Sequence, residues 1–142
     1  MAGIGNAAVI SDIDVRTFLR DADPDANLLL DDYEFTPEEL RSAMNLLVDK
    51  WNEIPPPVFT YTVDTFPWRY HMLLGTCANL LRMAAYRYQR NDLQYQIGGG
   101  VVMDQAKAQA YHATADRLMA EFDQWLRLKK SEIQASIGWG AV

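Results

Sequence analysis

The sequence predicts a mainly α-helical bundle with a long C-terminal helix, and three observations carry that prediction. Apolar residues recur at three- and four-residue spacing along residues 36–54, 67–90 and 103–136. Pro55-Pro56-Pro57 and Gly98-Gly99-Gly100 punctuate the chain between those stretches. Only residues 58–63 have the β-branched and aromatic make-up of a strand. With 142 residues, 49% of them hydrophobic and 11% aromatic, the chain suits one domain with a proper core.

Each element has a local cause. Residues 1–10 are small and apolar and read as a flexible N-terminal arm that orders on a partner. Ser11 and Asp14 form a capping arrangement in which Asp replaces the usual Glu or Gln, so a short helix is expected over 12–20, with Ile13, Val15, Phe18 and Leu19 as its apolar residues. Residues 21–35 form an acidic loop around Pro24 with an apolar insert at Leu28, Leu29 and Leu30.

Thr36-Pro37-Glu38-Glu39 is a strong helix start: Thr36 caps, Pro37 takes the first helical position and Glu39 completes the box. Leu40, Ala43, Met44, Leu47, Val48 and Trp51 then form one buried stripe, and the triple proline ends the helix. The strand candidate at 58–63 cannot make a sheet alone. It pairs with a distant segment, pairs with another chain, or is merely extended.

Asp64 or Thr65 is expected to cap a helix over 67–90, the central one, because its apolar residues cover more than one stripe. Gly75 within it permits a close helix crossing. Residues 91–101 break the pattern, with the glycine triplet as the most flexible point. The last helix spans 103–136, on a stripe of Tyr111, Ala115, Leu118, Met119, Phe122, Trp125, Leu126, Lys129 and Ile133. Lys129 lies along the stripe while its charge reaches water. Residues 137–142 form an apolar C-terminal tail without helical character. The domain proper is therefore 11–136, between two arms.

Charge is uneven. Residues 1–66 hold 13 Asp/Glu against 4 Lys/Arg, and residues 67–142 hold 6 against 9, within a net charge of −6. The halves either attract between neighbouring copies or solvate separate faces. So acidic a chain lacks the basic face that ordinary DNA binding needs. No run of apolar residues is long enough for a transmembrane helix, the N-terminus has no basic start followed by an apolar core, and the single cysteine forms no intramolecular disulfide. Cytoplasmic synthesis and no membrane association are expected.

No catalytic, cofactor or metal site emerges, and the chain is not expected to be an enzyme. Asp21, Asp23 and Asp25 open like a calcium loop, but Ala26 replaces the required glycine and Asp32 stands where the bidentate glutamate belongs. His71 and His112 fall on different helices without zinc-ligand spacing. Cys77 sits among leucines and reads as a buried thiol. The glycine triplet lacks the lysine of a P-loop.

Partner-binding features stand out instead. Arg82, Tyr86, Arg87, Tyr88, Arg90 and Tyr95 interleave base and aromatic, a pattern suited to stacking on single-stranded nucleic acid but, in an acidic chain, better suited to a protein interface. Trp139, with Ile137 and Val142 in the tail, is either an anchor for a partner's pocket or folds back on the core. Phe59 and Tyr61 in the strand candidate complete the expected partner-binding set.

The stretch Asp14-Val15-Arg16-Thr17-Phe18-Leu19-Arg20-Asp21, the acidic loop, Phe35-Thr36-Pro37-Glu38-Glu39-Leu40 and Trp51-Asn52-Glu53-Ile54-Pro55-Pro56 together resemble the opening of head–tail connector (adaptor) proteins of tailed bacteriophages. Asn91-Asp92-Leu93-Gln94-Tyr95-Gln96-Ile97-Gly98-Gly99-Gly100, followed by a long helix and a Gly-Trp tail, is likewise similar to small phage neck or tail virion proteins. The triple proline and the strand candidate depart from a simple helical adaptor. The resemblance implies a structural virion protein: a homo-oligomeric ring in the phage neck, contacting portal and tail proteins, with DNA passing through an acidic lumen without specific binding. The alternatives are a baseplate or tail-completion protein and a small cytosolic protein-binding adaptor.

Overall fold

The computed structural model describes residues 9–19, 35–97 and 103–140, with side chains described at 9–19, 35–90 and 107–137. Among the described residues there are four helices and no strand: α1 (Asp12–Leu19), α2 (Pro37–Glu53), α3 (Arg69–Ile97) and α4 (Met103–Gly140).

Both expected N-terminal boxes form. The Ser11 N–H donates to Asp14 Oδ2 at 2.9 Å, and the Asp14 N–H returns to Ser11 Oγ at 3.4 Å. At α2, the Glu39 N–H donates to Thr36 Oγ1 at 3.1 Å and the Thr36 N–H to Glu39 Oε1 at 3.2 Å, with Pro37 in the first turn. These bonds satisfy backbone donors that no helical carbonyl can reach. The six stripe residues of α2, Leu40 through Trp51, are all buried.

The helices α2 and α3 pack antiparallel. Asn79 Nδ2 donates to the Ala43 carbonyl at 3.0 Å, and Gly75 faces Leu47 so closely that a Cβ there would lie 2.1 Å from Leu47 Cδ1. Gly75 is thus the close crossing its sequence position suggests. The helix α4 folds back along α3, with Arg82 Nη2 pairing with Asp116 Oδ1 at 3.2 Å and His71 stacking on Trp125 at 4.0 Å between ring centroids. Leu118, Met119, Phe122 and Leu126 of α4 close the core from that side. The short α1 contributes Val15, with Ile10 just before it, and Arg69 clasps it from outside by donating to Asp14 Oδ1 at 2.8 Å and the Val9 carbonyl at 3.3 Å.

Four expectations are corrected. Residues 58–63 form no strand, for a reason given below. The helix α3 starts at Arg69, because the Thr65 hydroxyl and N–H are engaged by Thr62 in a turn and do not cap the helix. It then runs to Ile97 through the stretch read as a break, since residues 91–97 hold neither proline nor glycine and the real stop signal is the triplet after them. The helix α4 continues through Gly140, so Ile137, Gly138, Trp139 and Gly140 are helical rather than a non-helical tail. Extending an established helix needs no new nucleus, so the glycine propensity cost of about 1 kcal/mol each does not by itself stop it.

The acidic loop with Asp21, Asp23, Asp25, Asp32 and Leu28–Leu30, the glycine triplet, Val142 and most of the N-terminal arm lie outside the described residues. No helix is long and apolar enough to cross a membrane among those described.

Candidate partner-binding surface

The residues expected to bind partners fall at two ends of the bundle. With 29 residues at about 1.5 Å rise each, α3 is roughly 43 Å long, and Arg87, Tyr88, Arg90 and Tyr95 lie on its far half. Phe59 and Tyr61 lie together at the near end, where α2 finishes and α3 begins, and Ile137 lies on α4 beyond that end.

At the far end the chain engages much of its own chemistry. Arg87 pairs with Glu39 at 3.9 Å and sits 5.7 Å from the Tyr88 ring. Tyr88 packs edge-on against Tyr111 at 5.8 Å, and Lys107 Nζ lies 4.4 Å from the Tyr88 ring centre. Arg90 is exposed on α3, and the Tyr95 side chain lies outside those described. Asp14–Arg69 and Glu39–Arg87 join the acidic first half to the basic second half within one molecule.

The near end is built around Trp51. Its ring lies within 6 Å of Tyr61, Phe66, Trp68 and Trp125, at 5.9, 5.8, 4.9 and 5.6 Å between centroids. The connection from α2 to α3, residues 54–68, wraps this cluster as a strap, with Pro55-Pro56 in the cis form. Its backbone bonds go to side chains of α2. Trp51 Nε1 donates to the Phe59 carbonyl at 3.0 Å, Asn52 Nδ2 donates to the Tyr61 carbonyl at 2.8 Å, and the Tyr61 N–H donates to Asn52 Oδ1 at 2.9 Å. Asn52 thereby offers Tyr61 the same donor and acceptor that a neighbouring strand would. A β-prone segment lies here without a sheet because one helix end satisfies its inner edge. Within the molecule the segment pairs with no described strand.

The next anchor is Lys130, only 1% exposed. Its Nζ donates to the Trp51 and Ile54 carbonyls at the C-terminus of α2 and lies 5.0 Å from the Trp51 ring centre. A cation there meets carbonyls that have no helical partner and the negative end of the helix dipole. Burial pushes the Lys130 amine below its ordinary value. Neither Asn52 nor Lys130 was singled out from sequence. For Lys130 a signal existed: 118, 122, 126, 130, 133 and 137 keep helical spacing, and 130 continues the Leu126 row where 129 continues that of Trp125. Lys129 is the lysine that reaches water, pairing with Glu132 at 3.5 Å and lying 5.6 Å from the Trp68 ring centre.

Beyond Lys130, α4 outruns its neighbours. Since α3 begins at Arg69, opposite Lys129 and Lys130, every position from Gln134 to Ile137 is exposed. Ile137 is 47% exposed on the same row as Leu126, Lys130 and Ile133, so the core stripe continues past the core. Trp139 follows two residues later on the helix, its side chain outside those described. Phe59 is 51% exposed on the strap. An open depression of about 450 Å³ lies farther back on α4, lined by Ala120, Asp123, Gln124, Arg127 and Leu128.

Cys77 is fully buried, and burial pushes its thiol up to about 12. Burial pushes the His71 imidazole down while Glu121 pulls it the other way. Among the described residues no cluster of His, Cys, Asp and Glu is arranged to hold a metal. No family model, curated protein or solved structure matches the chain.

Proposed function

We infer that the chain is an assembly protein that works by docking onto other chains, with the C-terminal end of α4 as its principal contact. The observation that carries this reading is the continuation of an apolar helical row through Ile137, 47% exposed, beyond the described residues that cover Leu126 and Lys130. Covering an apolar row stabilises the helix that carries it, and a partner's groove covers it by the helix-in-groove mode. The α4 end would enter that groove already helical, which loses less entropy than an ordering peptide.

The resemblance to head–tail connectors gives this surface a setting: a ring of copies in a phage neck, with portal and tail proteins as partners and DNA passing through. A baseplate or tail-completion protein, or a cytosolic adaptor, would use the same docking logic with other partners. Truncation after Ser136 tests the reading. Because residues 134–137 are exposed, the shortened chain should keep its melting temperature within about 2 °C. It should fail to join particles, or to bind purified portal, as read by light scattering and electron microscopy. Normal incorporation of the truncated chain would overturn the reading.

A further inference from the structure

The strap carries a second docking element, independent of α4. Along an extended segment the N–H and C=O of alternate residues point to opposite sides. The Phe59 carbonyl and both backbone groups of Tyr61 point to α2, where Trp51 and Asn52 bind them. The Phe59 and Tyr61 rings lie 6.4 Å apart, as side chains two apart on one face of a strand do. Val58 and Thr60 therefore turn their backbone groups the other way, and among the described residues neither has a hydrogen-bond partner there. This is a strand edge with one side filled by side chains and the other open.

We propose that residues 58–60 take up an extended segment of another chain by β-augmentation along the edge formed by Val58 and Thr60. Two residues of open edge offer up to four backbone bonds, with the exposed Phe59 ring as the side-chain contact beside them. The occupant is a basic extended segment rather than a second copy of the strap. Residues 52–68 contain Glu53 and Asp64 and no Lys or Arg, and both acids are exposed at the flanks of the edge. Pairing of two straps about Thr60 would also require Thr62, whose N–H is held by Thr65 Oγ1 at 2.8 Å and whose carbonyl accepts from Phe66 at 3.0 Å.

The test is amide hydrogen exchange on the full chain with an acetylated peptide of about seven residues alternating valine and lysine. Exchange at Val58 and Thr60 should slow roughly tenfold at saturation while Tyr61, already bonded, stays unchanged. The same peptide N-methylated on its edge should have no effect. A version with glutamate for lysine should bind several-fold more weakly, and Thr60→Pro should abolish the response without lowering the melting temperature by more than a few degrees. No slowing at saturation, equal slowing with the N-methylated peptide, or protection of Thr60 by self-association in the absence of peptide would each overturn the proposal. The chain truncated after Ser136 should respond as the full chain does, so the two docking elements can fail separately.

Discussion

Residues 54–68 and residues 134–140 lie toward the same end of the bundle, and both carry apolar residues that the sequence marks as short of cover. Their outcomes differ. The strap lies against α2, and Trp51, Asn52 and Lys130 bind its backbone or the carbonyls beside it. Residues 134–137 at the end of α4 are exposed, and the backbone there is satisfied within the helix as it continues to Gly140. Lack of a partner leaves side chains bare in one case and one backbone edge bare in the other. On the docking reading proposed above, the two surfaces would take different occupants, a groove for the helix and a strand for the strap.

The sharpest way to break the contrast is to remove the strap's anchors. Lys130→Ala strips the Trp51 and Ile54 carbonyls of their donor and leaves a cavity, and should lower unfolding free energy by about 3–4 kcal/mol in urea titration. Lys130→Met, which keeps most of the volume, should recover part of that. Asn52→Ala leaves the Tyr61 N–H and carbonyl half-buried and unmatched. A loss of about 2 kcal/mol is expected, with the Tyr61 amide losing exchange protection before the α2 and α3 core does. Asn52→Asp should be intermediate, since it keeps the acceptor and loses the donor.

Gly75→Ala tests whether the close crossing of α2 and α3 holds the platform on which the strap rests. The added methyl meets Leu47 inside a packed core, at an overpacking cost of about 2–3 kcal/mol against about 1 kcal/mol gained in helix propensity, for a net loss near 1–2 kcal/mol. Leu47→Ala in the same chain should show favourable coupling with it in a double-mutant cycle.

The smallest effect is expected at α1. Burial raises the Asp14 carboxyl, but the Ser11 N–H, the Arg69 guanidinium and the Ser11 hydroxyl outweigh it, so the group titrates below its ordinary value. The unfolded chain then binds that proton first as pH falls. The contribution is present above the ordinary carboxylate range and is lost as pH drops through the depressed value. With Arg69 largely exposed, it amounts to about 0.5 kcal/mol, read as the difference between the parent and Asp14→Asn at pH 7 and its disappearance at about pH 2.

Much of the fold was legible because its causes are local. The capping boxes at Ser11 and Thr36, the α2 stripe and the glycine crossing follow from residue spacing alone. The exposure of the expected partner-binding residues was legible only in part. Ile137 and Phe59 are exposed as a docking residue must be, whereas Arg87 and Tyr88 are engaged within the molecule by Glu39, Lys107 and Tyr111, which lie far from them in sequence or on another helix. Composition cannot tell an aromatic-and-arginine interface from an internal contact.

By itself the sequence determined where α1 and α2 begin, which faces of α2 and α4 are apolar, and that residues 58–63 have a strand-like make-up. Periodicity, capping and β-branching act over one or two turns, so they need no knowledge of the rest of the chain. Only the tertiary structure decided that Asn52 and Trp51 would stand in for a strand, that Lys130 rather than Lys129 would be buried at the end of α2, and that α4 would outrun α3 and leave Ile137 uncovered. Each of these depends on which helix ends meet in space, and backbone groups and apolar rows accept whatever partner lies within reach.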